Sequence, residues 1–520
     1  MDHDEAARKF RLLQRLAVAA LLLAAAIPRG RNLEASFAPG AEGERGTRAA
    51  LTQLNHERFP ELEETITALE IPAGTDRYEG IGEPPWEPLI WRSNSPLEAD
   101  VLVERASFQF LGVEAIDPEA PVEFAVRVPH LALHLLALLV LWWAISEAFG
   151  GQIALMSLAF LTVLPPSIAY STVSGTENLA LLGSALMLGL YARHLQKREW
   201  WPLALLAPAA CAAALLAPES MAMAALLPLQ ALGMKRIRAA LLGALALWTP
   251  VVLLVLESGS QELDVLPRLA SRAAAFIEFG PGLLREAVSL FTPIVLGLAA
   301  IGVALRFSRS LNAGWSARLK ALEFPQPKEK HAEVAAVLLP FGVLAAMLSP
   351  DDGGPRLLFS VPIVALGVAL FLQQITRPIA AMRAGIAPLV VLASLIAMPC
   401  LARFSLFELE RRAEPTPRTV GAEIRSFELP PSDLCVIPAS LAQGAPLEFY
   451  ARRTLVPQSY LDRAEAGSVA VRRGIAPWTL AILLPLSSED EEAEDVAHLR
   501  VRARQRASLR AAHEKWEVWR

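Results

Sequence analysis

Long apolar runs, rich in Leu, Ala and Val and interrupted by Pro and Gly, recur along almost the whole chain. Such runs are typical of helices that cross about 30 Å of hydrocarbon, whereas the strands of a membrane barrel alternate apolar and polar residues over short segments. The pattern predicts about eleven membrane-spanning helices. Their predicted ranges are 11–27, 129–149, 151–170, 177–191, 201–217, 220–234, 239–257, 284–305, 333–349, 356–372 and 386–401. The fifth and sixth, which Pro218 and Glu219 separate, have one broken hairpin as an alternative interpretation.

Composition narrows the class of protein. Of the 520 residues, 54% are hydrophobic and only 19% are charged, whereas about a quarter of the residues of a soluble globular protein are charged. The three cysteines lie far apart, so neither a disulfide framework nor a metal-ligand spacing is visible. The formal net charge of -5 indicates no nucleic-acid partner. We therefore predict a membrane protein, in contact with membrane lipids, whose function resides in the loops that its helices position.

The basic residues indicate how the helices are oriented, because short cytoplasmic loops of membrane proteins collect Lys and Arg. Lys and Arg precede the first predicted span and follow the fourth, sixth, eighth and tenth, whereas the short loops 171–176, 218–219 and 351–355 contain none. The alternation predicts a multi-pass protein of the bacterial inner membrane with a cytoplasmic N-terminus. We expect the first span to remain as an anchor, because Pro28-Arg29-Gly30 is a poor cleavage site for a signal peptidase.

The same alternation divides the chain into domains. Residues 1–402 are predicted to form a transmembrane domain, in which a large extracytoplasmic first loop covers about 28–128. Residues 403–520 are predicted to form a small extracytoplasmic α/β domain, so the fold class is mainly α, with an α/β tail. Strands are predicted over 434–438, 479–485 and 516–519, and helices over 446–453 and 495–513.

Several short motifs follow one another along the chain. In chain order they are Asn94-Ser-Pro-Leu97 with a stretch that ends at Phe110-Leu-Gly112, Arg127-Val-Pro, the turn Gly150-Gly151, Leu164-Pro-Pro-Ser-Ile-Ala-Tyr-Ser171 before Thr176-Glu177, Gly354-Pro-Arg356-Leu-Leu-Phe-Ser-Val-Pro362, and Leu447-Glu-Phe-Tyr450-Ala-Arg-Arg-Thr-Leu-Val456. In these motifs the chain resembles the GT-C superfamily of polyprenyl-phosphate-sugar glycosyltransferases, of the protein O-mannosyltransferase and aminoarabinose-transferase type. The resemblance covers most of the chain.

The resemblance implies an inverting glycosyltransferase that moves a sugar from a polyprenyl-phosphate donor to an extracytoplasmic lipid, glycan or protein. Such a transfer needs a base that takes the proton of the acceptor hydroxyl and cations that hold the departing phosphate. One alternative is a non-catalytic GT-C-like protein that binds lipid or serves as an assembly subunit of an envelope-polysaccharide system. A transporter is a more distant alternative, since charge is scarce at the span centres and the first loop is long.

Carboxylates of the first loop are the candidate base. Members of the superfamily carry an acidic pair there, and this chain has Glu42 and Glu44, with a glycine between them. We expect Glu44 to be the base, because a helix beginning near Arg45 would aim it at the membrane interface. Glu42 would assist it or bind a divalent metal; no other metal or cofactor is predicted. Two solvated loop glutamates are the alternative. His56 and Glu57 form a second candidate pair, with a solvated helix face as the competing interpretation.

Arg356 is the candidate ligand for the donor phosphate, because a guanidinium can bind two phosphate oxygens at once. The alternative is an arginine that snorkels at a helix end. Arg268 and Arg272 are secondary candidates for the phosphate, as is Arg285.

We predict that the candidate base and Arg356 line one cavity at the outer membrane face. Three further side chains, those of Tyr170, Glu177 and Asn94, are predicted to line this cavity as well. Glu177 opens a helix, so N-terminal capping is the alternative role for it. His134 and Glu147 lie in or near the second predicted span, and we expect a buried, hydrogen-bonded histidine and an interfacial carboxylate rather than a proton relay.

Overall fold

The computed structural model forms two compact units, and each contains several segments of the chain. Unit 1 comprises Met1–Leu33, Asn94–Asp100 and Arg127–Glu410, and unit 2 comprises Glu34–Ser93, Val101–Val126 and Arg411–Arg520. The structure describes residues 3–31, 33–37, 41–58, 68–69, 90–91, 99–117, 119–233, 236–257, 281–282, 284–307, 329–348, 354–381, 400–401, 417–427, 434–438, 445–452, 454–457, 480–485, 494–506, 510–513 and 516–519. The predicted domain boundary at residue 402 lies outside these ranges.

Helices dominate the described residues. In chain order they are α1 (His3–Gly30), α2 (Ala41–Arg58), α3 (Ala99–Leu111), α4 (Val122–Phe149), α5 (Gly151–Val163), α6 (Pro165–Ala169), α7 (Glu177–Lys197), α8 (Trp201–Leu216), α9 (Met221–Gly233), α10 (Ile237–Glu257), α11 (Leu284–Phe291), α12 (Pro293–Phe307), α13 (Glu329–Leu348), α14 (Val361–Ala381), α15 (Pro417–Arg425), α16 (Ala445–Ala451) and α17 (Glu494–Arg506). Short 3-10 segments at Pro218–Ser220 and Gly354–Ser360 precede α9 and α14.

Within the described residues, three helical stretches are long and apolar enough to cross a membrane: Leu12–Gly30, Val122–Phe149 and Gly354–Gln374. The pair α11 and α12 would make a fourth, and α5, α8 and the first part of α10 are apolar but shorter. The chain is therefore a mainly helical membrane protein. The total of about eleven spans stays a prediction, and the last predicted range, 386–401, lies outside the described residues except at its final two positions.

Two spans that were predicted as continuous helices are broken. The range 151–170 is interrupted at Leu164, because the two prolines that follow have no N–H to continue the helical ladder. The range 284–305 bends by 94° between α11 and α12. Thr292, at the bend, has a φ of 61°, and the proline after it disfavours the helical conformation that a straight span would require.

The helices of unit 1 bury two apolar clusters, and small residues let some helices approach closely. The crossing of α12 and α14 is the clearest case: a Cβ at Gly302 would overlap the carbonyl oxygen of Gly367, and a Cβ at Gly367 would meet the backbone of Ala299. Glycines at such a crossing let two helix backbones come into contact, which is how membrane helices gain packing energy without a hydrophobic driving force.

Unit 2 contains two apolar cores. Phe37 and the buried face of α2 pack with Phe108 of α3, the first turn of α4 and the aromatic pair Phe449 and Tyr450 of α16. The second core lies between α15, α16 and a five-stranded sheet. The strands of that sheet are β3 (Leu434–Ile437), β4 (Thr454–Pro457), β5 (Leu480–Pro485), β6 (Arg510–His513) and β7 (Trp516–Trp519), which follow the antiparallel pair β1 (Ala68–Leu69) and β2 (Ile90–Trp91) in the chain. Residues of the first loop and of the tail therefore share one core.

The sheet of unit 2 has the order β4-β3-β5-β7-β6. β3 is parallel to β4 and β5, and β7 is antiparallel to β5 and β6. The predicted strands 434–438, 479–485 and 516–519 correspond to β3, β5 and β7. The predicted helix 495–513 is too long: α17 ends at Arg506, and pairing with β7 draws residues 510–513 into a strand.

The α12–α14 crossing generates a matched pair of substitutions. Gly302→Ala should lower the free energy of unfolding by about 1–3 kcal/mol, because the added methyl group must displace backbone atoms. Gly297→Ala, in the same helix, is the control: a Cβ there meets no described atom within 4 Å, and alanine is the better helix former. Thermal unfolding of the purified variants in detergent measures both. Equal midpoints for the two variants would contradict the close crossing.

Candidate functional site

The break between α5 and α6 is held by a guanidinium from another helix. In an unbroken helix, the N–H groups of residues 165 and 166 would donate to the carbonyl oxygens of Leu161 and Thr162, but both residues are proline. Arg29, at the end of α1, donates to these two oxygens instead, at 3.3 and 3.1 Å. It also donates to the carbonyl and the hydroxyl of Ser167, at 3.2 and 2.7 Å. Arg29 is only 1% exposed, so these bonds replace water as well as the missing N–H groups.

A polar network continues from Ser167 towards α7. His134 of α4 is hydrogen-bonded through Nε2 to the Ser167 hydroxyl, at 3.0 Å, and through Nδ1 to the side chain of Asn178, at 2.9 Å. Asn178 in turn donates to the carbonyl oxygen of Ser171, at 3.2 Å. The expectation that His134 is a buried, hydrogen-bonded histidine is confirmed. The network ties α1, α4 and α7 to the turn that contains Tyr170.

Tyr170 directly follows α6 and contacts a carboxylate. Its hydroxyl donates to the Glu286 carboxylate of α11 at 2.6 Å, a short, charge-assisted hydrogen bond. Gly354, at the start of the second 3-10 segment, lies directly against this pair, since a Cβ at that position would overlap both the hydroxyl and the carboxylate oxygen. The Gly354-Pro-Arg356 motif and the Tyr170 motif, predicted to share a site, therefore meet here.

Arg356 lies two residues after that glycine and is 4% exposed. The segment that carries it packs against α6, α7, α13 and α14. A snorkelling arginine would reach an aqueous surface, so this degree of burial argues against that alternative. A buried guanidinium requires hydrogen-bonded or anionic surroundings.

Glu177 and a second glutamate lie where α7 begins. Glu177, the first residue of α7, is buried, and its neighbour Thr176 makes no capping bond to the helix. Thr176 instead donates its hydroxyl to Glu219, at 2.8 Å. Glu219, in the turn between α8 and α9, is completely buried. The break at Pro218 and Glu219 thus separates two helices and places a carboxylate beside the start of α7.

The two first-loop glutamates lie in unit 2, in the first turn of α2. The helix begins at Ala41, four residues earlier than predicted. Glu44 is partly buried, and the side chain of Glu42 lies outside the described part of the structure. That these glutamates serve the same reaction as Arg356 stays a prediction.

Glu57, of the second candidate pair, has a structural role. Its carboxylate accepts hydrogen bonds from the backbone N–H groups of Ala115 and Ile116, at 2.9 and 2.8 Å. It therefore fixes the turn after α3 rather than forming part of a solvated face, and His56 beside it is buried. Glu147 forms an ion pair with Arg193 at 3.1 Å.

The remaining candidates divide into those that the structure describes and those that it does not. Asn94, Arg268 and Arg272 lie outside the described residues, and Arg285 of α11 is exposed. Among the described residues, no group of three or more His, Cys, Asp or Glu side chains could hold a metal ion.

Sequence reasoning missed three residues of these clusters: Arg29, Glu219 and Glu286. One signal was present for Arg29, because Pro165-Pro166 within an apolar run leaves two carbonyl oxygens without donors, and a donor must come from elsewhere. No local pattern indicated which arginine would supply it. Glu219 and Glu286 looked like loop or helix-end carboxylates.

Comparisons with known proteins place the fold. No family model matches the chain, and no curated protein matches it. Among solved structures, the chain is similar to the Archaeoglobus fulgidus oligosaccharyltransferase in complex with Zn and sulfate, at 12% identity and a TM-score of 0.51, over 90% of this chain and 68% of that chain. The complex of the archaeal oligosaccharyltransferase AglB from Archaeoglobus fulgidus with an inhibitory peptide and a dolichol-phosphate matches at 12% identity and a TM-score of 0.50, over 91% of this chain and 69% of that chain.

A third similar structure is ArnT from Cupriavidus metallidurans bound to undecaprenyl phosphate, at 14% identity and a TM-score of 0.47, over 97% of each chain. The likeness to the oligosaccharyltransferase shows that the chain shares the fold of that protein. The likeness that the sequence motifs predicted is thereby confirmed.

The Arg29 network makes a prediction about stability. Arg29→Lys keeps the positive charge, but one ammonium cannot reach both carbonyl oxygens and Ser167. At least one buried carbonyl then loses its donor, so the free energy of unfolding should fall by about 2–4 kcal/mol. Thermal unfolding in detergent measures the loss.

The matched control for this substitution is Arg31→Lys, because Arg31 is exposed two residues further on. We expect its midpoint to equal that of the unsubstituted protein. If Arg29→Lys unfolds at the same temperature as Arg31→Lys, the guanidinium does not replace the missing N–H groups.

Proposed function

We propose that the protein transfers a sugar from a polyprenyl-phosphate donor to a hydroxyl group of an extracytoplasmic lipid, glycan or protein. The observation that carries the proposal is the buried Arg356, held in a 3-10 segment against the Tyr170–Glu286 pair in a chain with a GT-C fold. A guanidinium in such a site suits a phosphodiester, because it can donate two parallel hydrogen bonds and stays charged when buried.

Arg356 is proposed to hold the donor phosphate. As the bond between the anomeric carbon and the phosphate oxygen breaks, the electron pair stays on the leaving polyprenyl phosphate, and the guanidinium stabilises the charge that develops. Arg268 and Arg272 are proposed as additional phosphate ligands. Tyr170 and Glu286 position Arg356 through Gly354, and Asn94 and Glu177 are proposed to line the cavity.

Glu44 is proposed as the general base. It takes the proton of the acceptor hydroxyl while the hydroxyl oxygen forms its bond to the anomeric carbon on the face opposite the phosphate, so the configuration inverts. Glu42 is proposed to assist Glu44. The proton thus goes to Glu44, the electron pair to the leaving phosphate and the sugar to the acceptor oxygen.

The proposed setting is the bacterial inner membrane, with a cytoplasmic N-terminus and an extracytoplasmic C-terminal domain. A reporter fused after Arg520 checks this arrangement directly. We expect activity from a periplasmic reporter, such as alkaline phosphatase, and none from a fused cytoplasmic reporter. The reverse result would overturn both the span count and the side of the membrane assigned to the transfer.

Glu44→Gln tests whether Glu44 is the general base. The amide keeps the size and polarity of the side chain but cannot accept the proton, so kcat should fall by about 100-fold or more while donor binding persists. Glu34→Gln, at an exposed position of the same unit, is the matched control and should keep full activity. Unchanged turnover in Glu44→Gln would move the base to Glu42 or remove it from this loop.

Arg356→Lys tests the phosphate site separately. Lysine keeps the charge but loses the two-pronged donor, so both donor affinity and kcat should fall, with kcat/KM lower by about 10-fold or more. The assay measures release of polyprenyl phosphate by purified protein in detergent. If donor is bound but never consumed by any form of the protein, a non-catalytic lipid-binding role is supported instead.

A further inference from the structure

A separate pocket lies wholly within unit 2. It is partly open to solvent, and its walls include Arg418 and Arg425 of α15, Arg452, and Phe449 and Tyr450 of α16. Glu123, at the start of α4, completes it. None of these side chains has a part in the proposed transfer reaction.

The lining of this pocket is strongly positive. Three guanidinium groups face one carboxylate, that of Glu123, which leaves a formal excess of two positive charges among the lining side chains. The Glu123 carboxylate is held in place by the Tyr450 hydroxyl, which donates to it at 2.6 Å, and by Arg418 at 3.5 Å. It neutralises one of the three guanidinium groups.

A second carboxylate, that of Glu119, pairs with Arg425 at 3.3 Å. Glu119 is 79% exposed, and an ion pair with so exposed a partner is weakened by water and salt. Arg425 can therefore turn to a ligand in the pocket at little cost.

Arg452 is fixed before any ligand arrives. It closes α16 with a left-handed φ of 52°, which is unusual for a residue with a side chain. One of its terminal nitrogens donates to the carbonyl oxygen of Ala115 at 2.7 Å, and the guanidinium lies 4.5 Å from the centre of the Phe449 ring. A guanidinium held at fixed geometry loses little conformational entropy on binding an anion.

We propose that this pocket binds a small oxyanion, a carboxylate or a phosphate, either free or carried by a sugar. Guanidinium groups bind the oxygens of these anions through paired hydrogen bonds. The site lies outside the residues proposed for transfer, so it stands or falls independently of the proposed function.

The test titrates purified full-length protein with inorganic phosphate and with glucuronate, and measures heat by calorimetry at low and high salt. We expect saturable binding that weakens as salt rises. Arg418→Gln combined with Arg425→Gln should weaken binding at least about 10-fold, since two charge-assisted contacts are lost. Arg504→Gln, at an exposed position of α17 in the same unit, should bind as the unsubstituted protein does.

Binding of phosphate alone, of glucuronate alone or of both anions identifies the class of oxyanion that the pocket accepts. If the double variant has a lowered unfolding temperature, Arg425→Gln alone is tested in its place. Arg425 pairs with the exposed Glu119, so the loss of this ion pair should affect stability little. No saturable binding of either anion to the unsubstituted protein would overturn the proposal. Equal binding by the arginine variants and by Arg504→Gln would overturn it as well.

Discussion

The candidate site in unit 1 depends on the hydrogen bonds that Arg29 donates. Its guanidinium replaces the two N–H donors that Pro165 and Pro166 lack. Without it, the carbonyl oxygens of Leu161 and Thr162 would be buried without those donors, at a cost of about 1–3 kcal/mol each. With it, the chain can end α5, turn, and begin α6 inside a packed bundle. That turn determines where Tyr170 lies.

From this turn, short polar contacts fix the neighbouring elements. Ser167, His134 and Asn178 connect the turn to α4 and α7, and the Tyr170–Glu286 bond connects it to α11. The bend of 94° after α11 allows that helix to carry Glu286 to the tyrosine while α12 packs against α14. Gly354 fits against the pair only because it has no Cβ. The 3-10 segment that carries Arg356 packs against α6, α7, α13 and α14.

Much of the architecture was predictable, because hydrophobic runs and proline or glycine signals are local. The C-terminal end of α4, the first residues of α5 and α7, the turn at Gly150 and the buried state of His134 follow from such signals. The contacts that assemble the site are not local. Arg29 lies more than 130 positions from Leu161 and Thr162, and Tyr170 lies 116 positions from Glu286. The helix predicted over 495–513 is wrong in its last part for the same reason, because residues 510–513 form a strand that pairs with residues 516–519.

The central claim is that a buried arginine in a GT-C fold serves sugar transfer from a lipid phosphate. The most direct measurement incubates the purified, unsubstituted protein in detergent with polyprenyl-phosphate hexoses and pentoses, together with an acceptor fraction from its own membranes, and follows release of polyprenyl phosphate. We predict that at least one donor is consumed, with formation of a glycosylated acceptor. Saturable donor binding with no release from any donor would contradict transfer and leave a lipid-binding protein.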